Sequence, residues 1–230
     1  MNAHTNKALK RVVHIPIRHA YLEGDLDVPE GANGLVLFAH GSGSSRHSPR
    51  NQFVAEIIRQ SGNGTLLFDL LTRVEEMEDN VTGMLRFDIA RLGERLVTAT
   101  NWIRKQSETQ HLPVGYFGSS TGGAAALVAA AELGKSIGAV VSRGGRPDLA
   151  RDALSRVQSP TLLIVGEYDD TVLALNADAF ARLRCEKELK IVPGATHLFQ
   201  EEGALEQVAE LAAGWFHRHL RSAQPMYKEL

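Results

Sequence analysis

The sequence predicts an α/β fold, with a doubly wound and mostly parallel sheet, on two observations. Short apolar runs alternate along its 230 residues with segments whose apolar side chains recur at helical spacing. Several of the short runs are apolar throughout and flanked by glycine, which is typical of parallel strands that are buried on both faces. Strands that alternate with helices in this way form a parallel sheet with helices on both sides.

Eight strands are predicted, and the first two form an antiparallel pair at one edge of the sheet. Residues 11–19 and 21–28 alternate apolar and polar side chains, as half-buried strands do, and turn-forming residues follow at 29–34. The later apolar runs predict buried strands at 35–39, 65–69, 114–117, 137–142, 161–165 and 189–192.

Helices are predicted between and after these strands from stripes of apolar residues. They cover residues 49–60, 85–106, an alanine-rich run from 124, 147–157, 174–183 and 204–220. The acidic segment 75–80 is predicted to be a solvated loop. Since no repeat or interdomain linker is visible, we expect one domain over residues 11–222, with loose tails at 1–10 and 223–230.

Composition limits the classes of function. The chain is 43% hydrophobic and 23% charged, as ordinary globular proteins are, and its formal net charge is −2. That charge gives no overall attraction to nucleic acid or to an anionic membrane, so neither partner is expected. No signal-peptide core follows Met1, and no apolar run approaches the roughly 20 residues that cross a bilayer, so we expect a cytoplasmic location. The one cysteine, Cys185, cannot form an internal disulfide and is interpreted as a structural thiol.

The segment 118–122, with the sequence Gly-Ser-Ser-Thr-Gly, joins a predicted strand to a predicted helix and fits the pattern Gly-x-Ser-x-Gly. A serine held on such a sharp turn has a strained backbone, and side chains two residues to either side would collide. Glycine at both places removes the collisions and exposes the Ser120 hydroxyl. Ser119 is the weaker nucleophile candidate, because Phe117 and Thr121 occupy the corresponding places around it. Alone, the motif also fits a tight turn or a phosphate-binding loop.

Three further groups of polar residues follow predicted strands, at the ends where open α/β sheets bind their ligands. His-Gly-Ser-Gly at 40–43 follows the third strand, Gly-Glu-Tyr-Asp-Asp-Thr-Val at 166–172 the seventh, and Gly-Ala-Thr-His at 194–197 the eighth. Together with Ser120 they place a nucleophile, an acid and a histidine at one edge of the sheet, in the chain order Ser, Asp, His.

Taken in order, these motifs resemble those of the α/β-hydrolases, in particular the small dienelactone-hydrolase-like branch, over about residues 11–220. The resemblance implies an α/β-hydrolase fold. It also implies that no large lid is present, because only residues 143–160 separate the sixth and seventh strands. Dienelactone hydrolases proper carry cysteine at the elbow, where this chain has Ser120. The resemblance therefore favours a general serine hydrolase over an enzyme for the dienelactone substrate.

A catalytic triad follows from this resemblance. Ser120 would be the nucleophile, His197 the base that takes its proton, and Asp169 the acid that orients the histidine. The pattern Gly-x-x-Asp-x-x-Val fits Asp169 and leaves the neighbouring Asp170 as a competitor. Asp148 follows the sixth strand, where some relatives place the acid, but its surroundings match the family less well.

The resemblance also implies an oxyanion hole, formed by the backbone N–H groups of Ser42 and Thr121. His40 is expected to support this loop through hydrogen bonds and not to act as a second base. No cofactor and no metal are expected, because the histidines lack the spacing of metal ligands. A dinucleotide loop is also excluded, since Arg46 stands where its third glycine must pack.

The predicted function is cleavage of carboxylic esters or related small acyl compounds through an acyl-enzyme intermediate, by a monomer or homodimer. An open site favours small substrates over long lipids. Two alternatives remain open: an acyltransferase that uses the same triad, and a non-catalytic protein that binds a small ligand on the same fold.

Four arginines suggest the charge of the substrate. Arg46 and Arg50 follow the third strand, Arg143 and Arg146 follow the sixth, and both loops are expected at the edge that holds the triad. Arginines around a pocket suit a carboxylate or a phosphate, so the substrate is predicted to be anionic. The alternative is that these arginines pair with acids such as Asp148 or stay solvated at the rim.

Overall fold

The computed structural model describes residues 7–220 and contains one sheet of eight strands. The strands are β1 (Leu9–Ile17), β2 (Ala20–Val28), β3 (Leu35–Ala39), β4 (Gly64–Phe68), β5 (Val114–Ser119), β6 (Ile137–Arg143), β7 (Thr161–Gly166) and β8 (Lys187–Val192). Their order across the sheet is β1-β2-β4-β3-β5-β6-β7-β8. This order confirms the predicted doubly wound sheet.

The direction of the strands follows from their side-chain patterns. β1 pairs with β2 and β2 with β4 in antiparallel fashion, whereas every later pair is parallel. In β2 the residues Leu22, Leu26 and Val28 are buried and their neighbours are more exposed, as expected at an edge with one solvated face. All residues of β3, β4, β5 and β7 are buried, which is the condition of parallel strands covered on both faces.

Helices cover both faces of this sheet. They are α1 (Pro49–Gln60), α2 (Arg73–Thr82), α3 (Ile89–Ile103), α4 (Thr121–Leu133), α5 (Asp170–Arg182) and α6 (Ala204–His219). α1 and α6 pack together over one face, where Val54 and Phe216 join the strand residues Phe38 and Phe117 in one apolar layer. α3 and α4 pack over the other face, where the layer includes Tyr116.

The acidic segment predicted as a loop at 75–80 is a helix, so that prediction is wrong. α2 begins after Thr72, whose hydroxyl accepts a hydrogen bond from the backbone N–H of Glu75. The Glu75 carboxylate in turn accepts one from the N–H of Thr72, which completes a capping box. The helix ends at Gly83, whose positive φ of 64° suits glycine.

Other helices also differ from their predicted limits: α4 and α5 begin three and four residues earlier, at Thr121 and Asp170. The helix predicted over 85–106 consists of a short 3₁₀ helix at Leu85–Phe87 and then α3, because the Asp88 side chain caps α3 at its own N-terminus. The helix predicted over 147–157 is a 3₁₀ segment at Pro147–Arg156, interrupted where Arg151 has a φ of 48°. Of the predicted tails, residues 1–6 and 223–230 lie outside the described residues, while residues 9 and 10 belong to β1.

The connections between strands determine what surrounds the carboxyl edge of the sheet. Between β6 and β7 the described chain carries only the 3₁₀ segment, so no lid is inserted there, as predicted. α2 instead stands in the connection from β4 to α3, next to the loop after β3. None of the helices within residues 7–220 is long and apolar enough to cross a membrane.

Candidate functional site

Ser120 occupies a strained turn between β5 and α4. Its backbone has a φ of 51° and a ψ of −121°, a conformation that residues other than glycine rarely adopt. A Cβ atom on Gly118 would overlap the main chain of Gly122, and one on Gly122 would overlap the carbonyl oxygen of Ala39. The glycines are therefore required by contact between main chains, as the sequence pattern indicates.

Hydrogen bonds with the end of β6, the loop after it and the first turn of α4 hold this turn in place. The backbone N–H of Ser120 donates to the carbonyl oxygen of Arg143 at 3.3 Å. The carbonyl oxygen of Ser120 accepts from the N–H groups of Arg146 and Gly123, both at 3.0 Å. The strain at Ser120 is thus offset by main-chain hydrogen bonds to a neighbouring strand and its loop.

His197 and Asp169 form a hydrogen-bonded pair. The His197 Nδ1 and an Asp169 carboxylate oxygen lie 2.6 Å apart, and the Asp169 side chain is 14% exposed. The loops that carry them are joined by a hydrogen bond of 2.9 Å from the N–H of Tyr168 to the carbonyl oxygen of Ala195. Asp170 lies in the first turn of α5 and is exposed, so the structure favours Asp169 over Asp170 as the partner of the histidine.

The segment after β6 also brings the histidine toward the serine. Gly144 has a φ of 50°, and a Cβ atom on it would lie 3.5 Å from the Cε1 atom of His197. The preceding residue, Arg143, is the one that accepts the hydrogen bond from Ser120. The turn at Ser120 therefore contacts Arg143 and the imidazole of His197 lies near Gly144, which are adjacent residues at the carboxyl edge of the sheet.

The loop after β3 begins directly beside the serine. A Cβ atom on Gly41 would lie 3.0 Å from the Cβ of Ser120, and Ser42 is the next residue in this loop. The Nε2 of His40 accepts a hydrogen bond of 3.1 Å from the N–H of Leu70, which leaves its Nδ1 to donate to the carbonyl oxygen of Gly41 at 3.0 Å. These two bonds confirm the predicted supporting role of His40, and burial lowers its pKa and so favours the neutral ring.

A cavity of about 440 Å³ opens next to this loop. Ser42 and Thr121, the two residues expected to supply the oxyanion hole, both line it, as do Asp79 of α2 and Arg86 of the short 3₁₀ helix after α2. The Arg86 Nε donates to the Asp79 carboxylate at 2.6 Å. The sequence interpretation missed this wall of the cavity, although the capping pattern Thr-x-x-Glu at 72–75 was a signal for a helix there.

The structure separates the four candidate arginines into two groups. Arg46 forms ion pairs with three carboxylates, those of Glu23, Asp25 and Asp69. Arg146 pairs through two nitrogens with Asp148 at 2.9 and 2.8 Å.

Both side chains pair with neighbouring acids, which is the alternative that the sequence left open, and their binding of substrate stays a prediction. Arg50 lines the cavity, and the side chain of Arg143 is buried beside the segment that flanks Ser120 and His197.

Neither the cysteine nor a metal centre adds to the candidate site within the described residues. Cys185 is half-buried, with its Sγ 3.7 Å from the hydroxyl of Thr161, and burial raises the pKa of its thiol. Over residues 7–220, no three histidine, cysteine, aspartate or glutamate side chains are grouped as a metal site would require.

Comparison with known proteins identifies the relatives of the chain. The sequence profile described as "Dienelactone hydrolase family" matches residues 53–221. The crystal structure of a dienelactone hydrolase from Anabaena variabilis is 57% identical and superposes with a TM-score of 0.91, covering 93% of this chain and 99% of that one. The esterase Est1E from Butyrivibrio proteoclasticus shares the fold at 16% identity, with a TM-score of 0.76 over 90% of this chain and 98% of its own.

Two curated relatives are longer than this chain. Proteins of Mycobacterium tuberculosis, from the strains CDC 1551 and H37Rv, are 57% identical over 203 residues and carry the provisional name phosphoribosyl transferase. The match covers 88% of this chain but only 45% of each relative. The chain thus spans less than half the length of these proteins. Their name was given to the full-length proteins and not to the part that matches this chain.

The steric demand at the turn can be tested by Gly122→Ala. The added methyl group would overlap the main-chain oxygen of Ala39, which cannot move without shifting β3. We expect the free energy of unfolding to fall by about 1–3 kcal/mol, measured by urea denaturation.

Gly214→Ala is the matched control, because this glycine lies within α6 and an added Cβ meets no atom within 4 Å. The control is expected to gain about 0.5–1 kcal/mol through helix propensity. Equal stability of Gly122→Ala and the wild type would contradict the crowding argument.

Proposed function

The chain belongs to the dienelactone hydrolase family of α/β-hydrolases, and we propose that it is a serine hydrolase of carboxylic esters or related small acyl compounds. One observation carries the proposal: the 2.6 Å hydrogen bond between Asp169 and His197, at the edge where Ser120 occupies its strained turn. A carboxylate that orients an imidazole able to take the proton of a serine hydroxyl is the arrangement that activates serine for acyl transfer.

The proposed reaction has two steps. The Ser120 hydroxyl attacks the acyl carbon while His197 takes its proton and then delivers it to the leaving alcohol, so an acyl-enzyme remains. Water then attacks the acyl group, gives a proton to His197, and the acid is released as the Ser120 hydroxyl is restored. Asp169 accepts the hydrogen bond from Nδ1 throughout, which fixes the tautomer whose Nε2 faces the serine and stabilises the imidazolium.

The negative charge of the tetrahedral intermediate needs two donors. We propose the backbone N–H groups of Thr121, at the start of α4, and of Ser42, in the loop that Gly41 brings against Ser120. The hydrogen bonds of His40 to Leu70 and Gly41 hold this loop. Such a donor is preorganised, and losing one typically lowers turnover about 10²–10³-fold.

The cavity beside the proposed oxyanion hole has a size that suits a small substrate, although Ser120, Asp169 and His197 are not among the residues that line it. Its volume of about 440 Å³ lies at the lower end of the usual range for small-molecule sites, and polar side chains from α2 and the loop after β3 line much of it. The elbow residue is Ser120, where the resemblance places cysteine in dienelactone hydrolases proper, so we propose ester hydrolysis in general and leave the natural acyl group open.

The provisional name of the Mycobacterium tuberculosis relatives points to a different reaction, transfer of a phosphoribosyl group. That name covers proteins of which the match occupies 45%. Ester hydrolysis is proposed for the portion that the chain shares with them, since the residues that support it, Ser120, Asp169 and His197, all lie in this chain.

The proposed nucleophile is tested by labelling with a fluorophosphonate and mapping of the modified peptide. We expect modification at Ser120 in the wild type and none in Ser120→Ala, because a serine activated by an adjacent base attacks phosphorus far faster than an ordinary hydroxyl does. Ser119→Ala is the matched control, since the adjacent serine lies within β5 and is expected to leave labelling intact. A folded wild-type protein that takes no label would favour a non-catalytic binding protein, and label on Ser119 would overturn the assignment.

The acid is tested by comparing Asp169→Asn with Asp170→Asn on an ester that the wild type hydrolyses. Asparagine at 169 would hold the wrong histidine tautomer, so we expect kcat to fall by about 10⁴-fold. Asp170→Asn makes the same chemical change one residue away on an exposed position and is expected to change kcat by less than about threefold, because surface substitutions are nearly neutral. Comparable losses in both variants would refute the assigned role of Asp169.

A further inference from the structure

A buried asparagine joins the helix that follows the proposed acid to the loop that holds the proposed nucleophile. Asn176 lies in α5 and is fully buried. Its Nδ2 donates hydrogen bonds to the carbonyl oxygens of Val172 at 2.8 Å and of Gly145 at 2.9 Å. Since carbonyl oxygens only accept hydrogen bonds, these two partners determine which end of the amide faces them. The bond to Val172 stays within α5, whereas the bond to Gly145 joins residues 31 positions apart.

Packing alone does not explain an amide at this position. The Oδ1 of Asn176 is buried and has no hydrogen-bond partner within residues 7–220. A buried amide oxygen without a partner costs free energy, and an aliphatic side chain would avoid that cost while still filling space. The amide is therefore accounted for by the two hydrogen bonds that its Nδ2 donates.

Gly145 lies between the two residues that hold the turn at Ser120. Two positions before it, the carbonyl oxygen of Arg143 accepts a hydrogen bond of 3.3 Å from the N–H of Ser120. Directly after it, the N–H of Arg146 donates to the carbonyl oxygen of Ser120 at 3.0 Å. A shift of Gly145 would therefore disturb the hydrogen bonds on both sides of the nucleophile.

The same connection reaches the acid and the histidine. α5 begins directly after Asp169, whose carbonyl oxygen accepts a hydrogen bond of 2.8 Å from the N–H of Leu173 in the first turn of the helix. Asn176 follows Asp169 by about two helical turns. On the other side, Gly144 lies against the histidine, since a Cβ atom on it would be 3.3 Å from the carbonyl oxygen of His197.

We propose that Asn176 is a positioning residue, whose hydrogen bond to Gly145 holds the turn at Ser120 in register with Asp169 and His197. This inference rests on the proposed function. The hydroxyl, the carboxylate and the imidazole follow three different strands, so their separation depends on links between the loops. A displacement of about 1 Å between reacting groups can lower a rate about 10²-fold, even when the altered residue touches no substrate.

Two substitutions separate the bond to Gly145 from the bond to Val172. Asn176→Ala removes both, whereas Asn176→Ser keeps a hydroxyl that can donate to the carbonyl oxygen four residues earlier but is too short to reach Gly145. On an ester that the wild type hydrolyses, we expect both variants to lower kcat by at least about fivefold and to leave KM within about threefold. This division is expected because both steps of the reaction use the same contact between serine and histidine.

Asn63→Ala is the matched control. Asn63 is as fully buried as Asn176, but its Oδ1 would lie 3.1 Å from a Cβ atom on Gly34, which precedes β3 at the opposite edge of the sheet. We expect its kcat, corrected for the folded fraction measured by circular dichroism, to stay within about twofold of the wild type. A purely structural role of Asn176 would lower the melting temperature and leave this corrected kcat unchanged.

Several outcomes would overturn the inference. One is a loss of kcat below about fivefold in either folded variant of Asn176, and another is a change confined to KM. Recovery in Asn176→Ser of activity lost in Asn176→Ala would show that the bond to Val172 is the important one. Failure of both variants to fold would show that the amide serves the fold as a whole.

Hydrogen exchange separates failure of this inference from failure of the proposed function, because it needs no reaction. We expect the amide protons of Ser120 and Arg146 to exchange at least about tenfold faster in Asn176→Ser than in the wild type, while those of α1 keep their protection. If the wild type hydrolyses no ester and takes no label, the proposed function fails, and this faster exchange would still support the link. Unchanged exchange at both amides would overturn it.

Discussion

The close approach of main chains at the carboxyl edge of the sheet is the constraint on which the remaining features depend. Gly118 and Gly122 let the turn at Ser120 press against its own helix and against β3, and Gly166 lets the loop after β8 cross the end of β7. At none of these positions is there room for a Cβ atom. The crossing at Gly166 lies where the loops of the acid and the histidine meet, and these two side chains are within hydrogen-bond distance of each other.

The segment after β6 links these parts. Arg143 and Arg146 hold Ser120 through their main chains, while Gly144 leaves space for the ring of His197. The main chain of Arg143 thus supports the turn, while its buried guanidinium carbon lies 5.8 Å from the centre of the ring of Phe199. The side chain of Arg146, in the loop after β6, instead pairs with Asp148.

The strands and loops at the carboxyl edge of the sheet could be predicted from the sequence, because polar and small residues follow directly after apolar strands there. Continuous apolar runs identify β3, β5 and β7, and the residues at their ends stand out as glycine, serine, aspartate and histidine. α2 was mistaken for a loop because its acidic composition concealed the capping box at Thr72. The partners of long side chains could not be predicted, since Arg46 meets Glu23 and Asp69 only through the pairing of distant strands.

The most direct test of the account is a crystal structure of the protein after reaction with a fluorophosphonate. The account predicts phosphorus bonded to the Oγ of Ser120, with its oxygen within about 3 Å of the N–H groups of Ser42 and Thr121. It also predicts the Nε2 of His197 within hydrogen-bond reach of that Oγ. Phosphorus on another residue, or a His197 ring turned away from Ser120 with Asp169 still bound to it, would contradict the account.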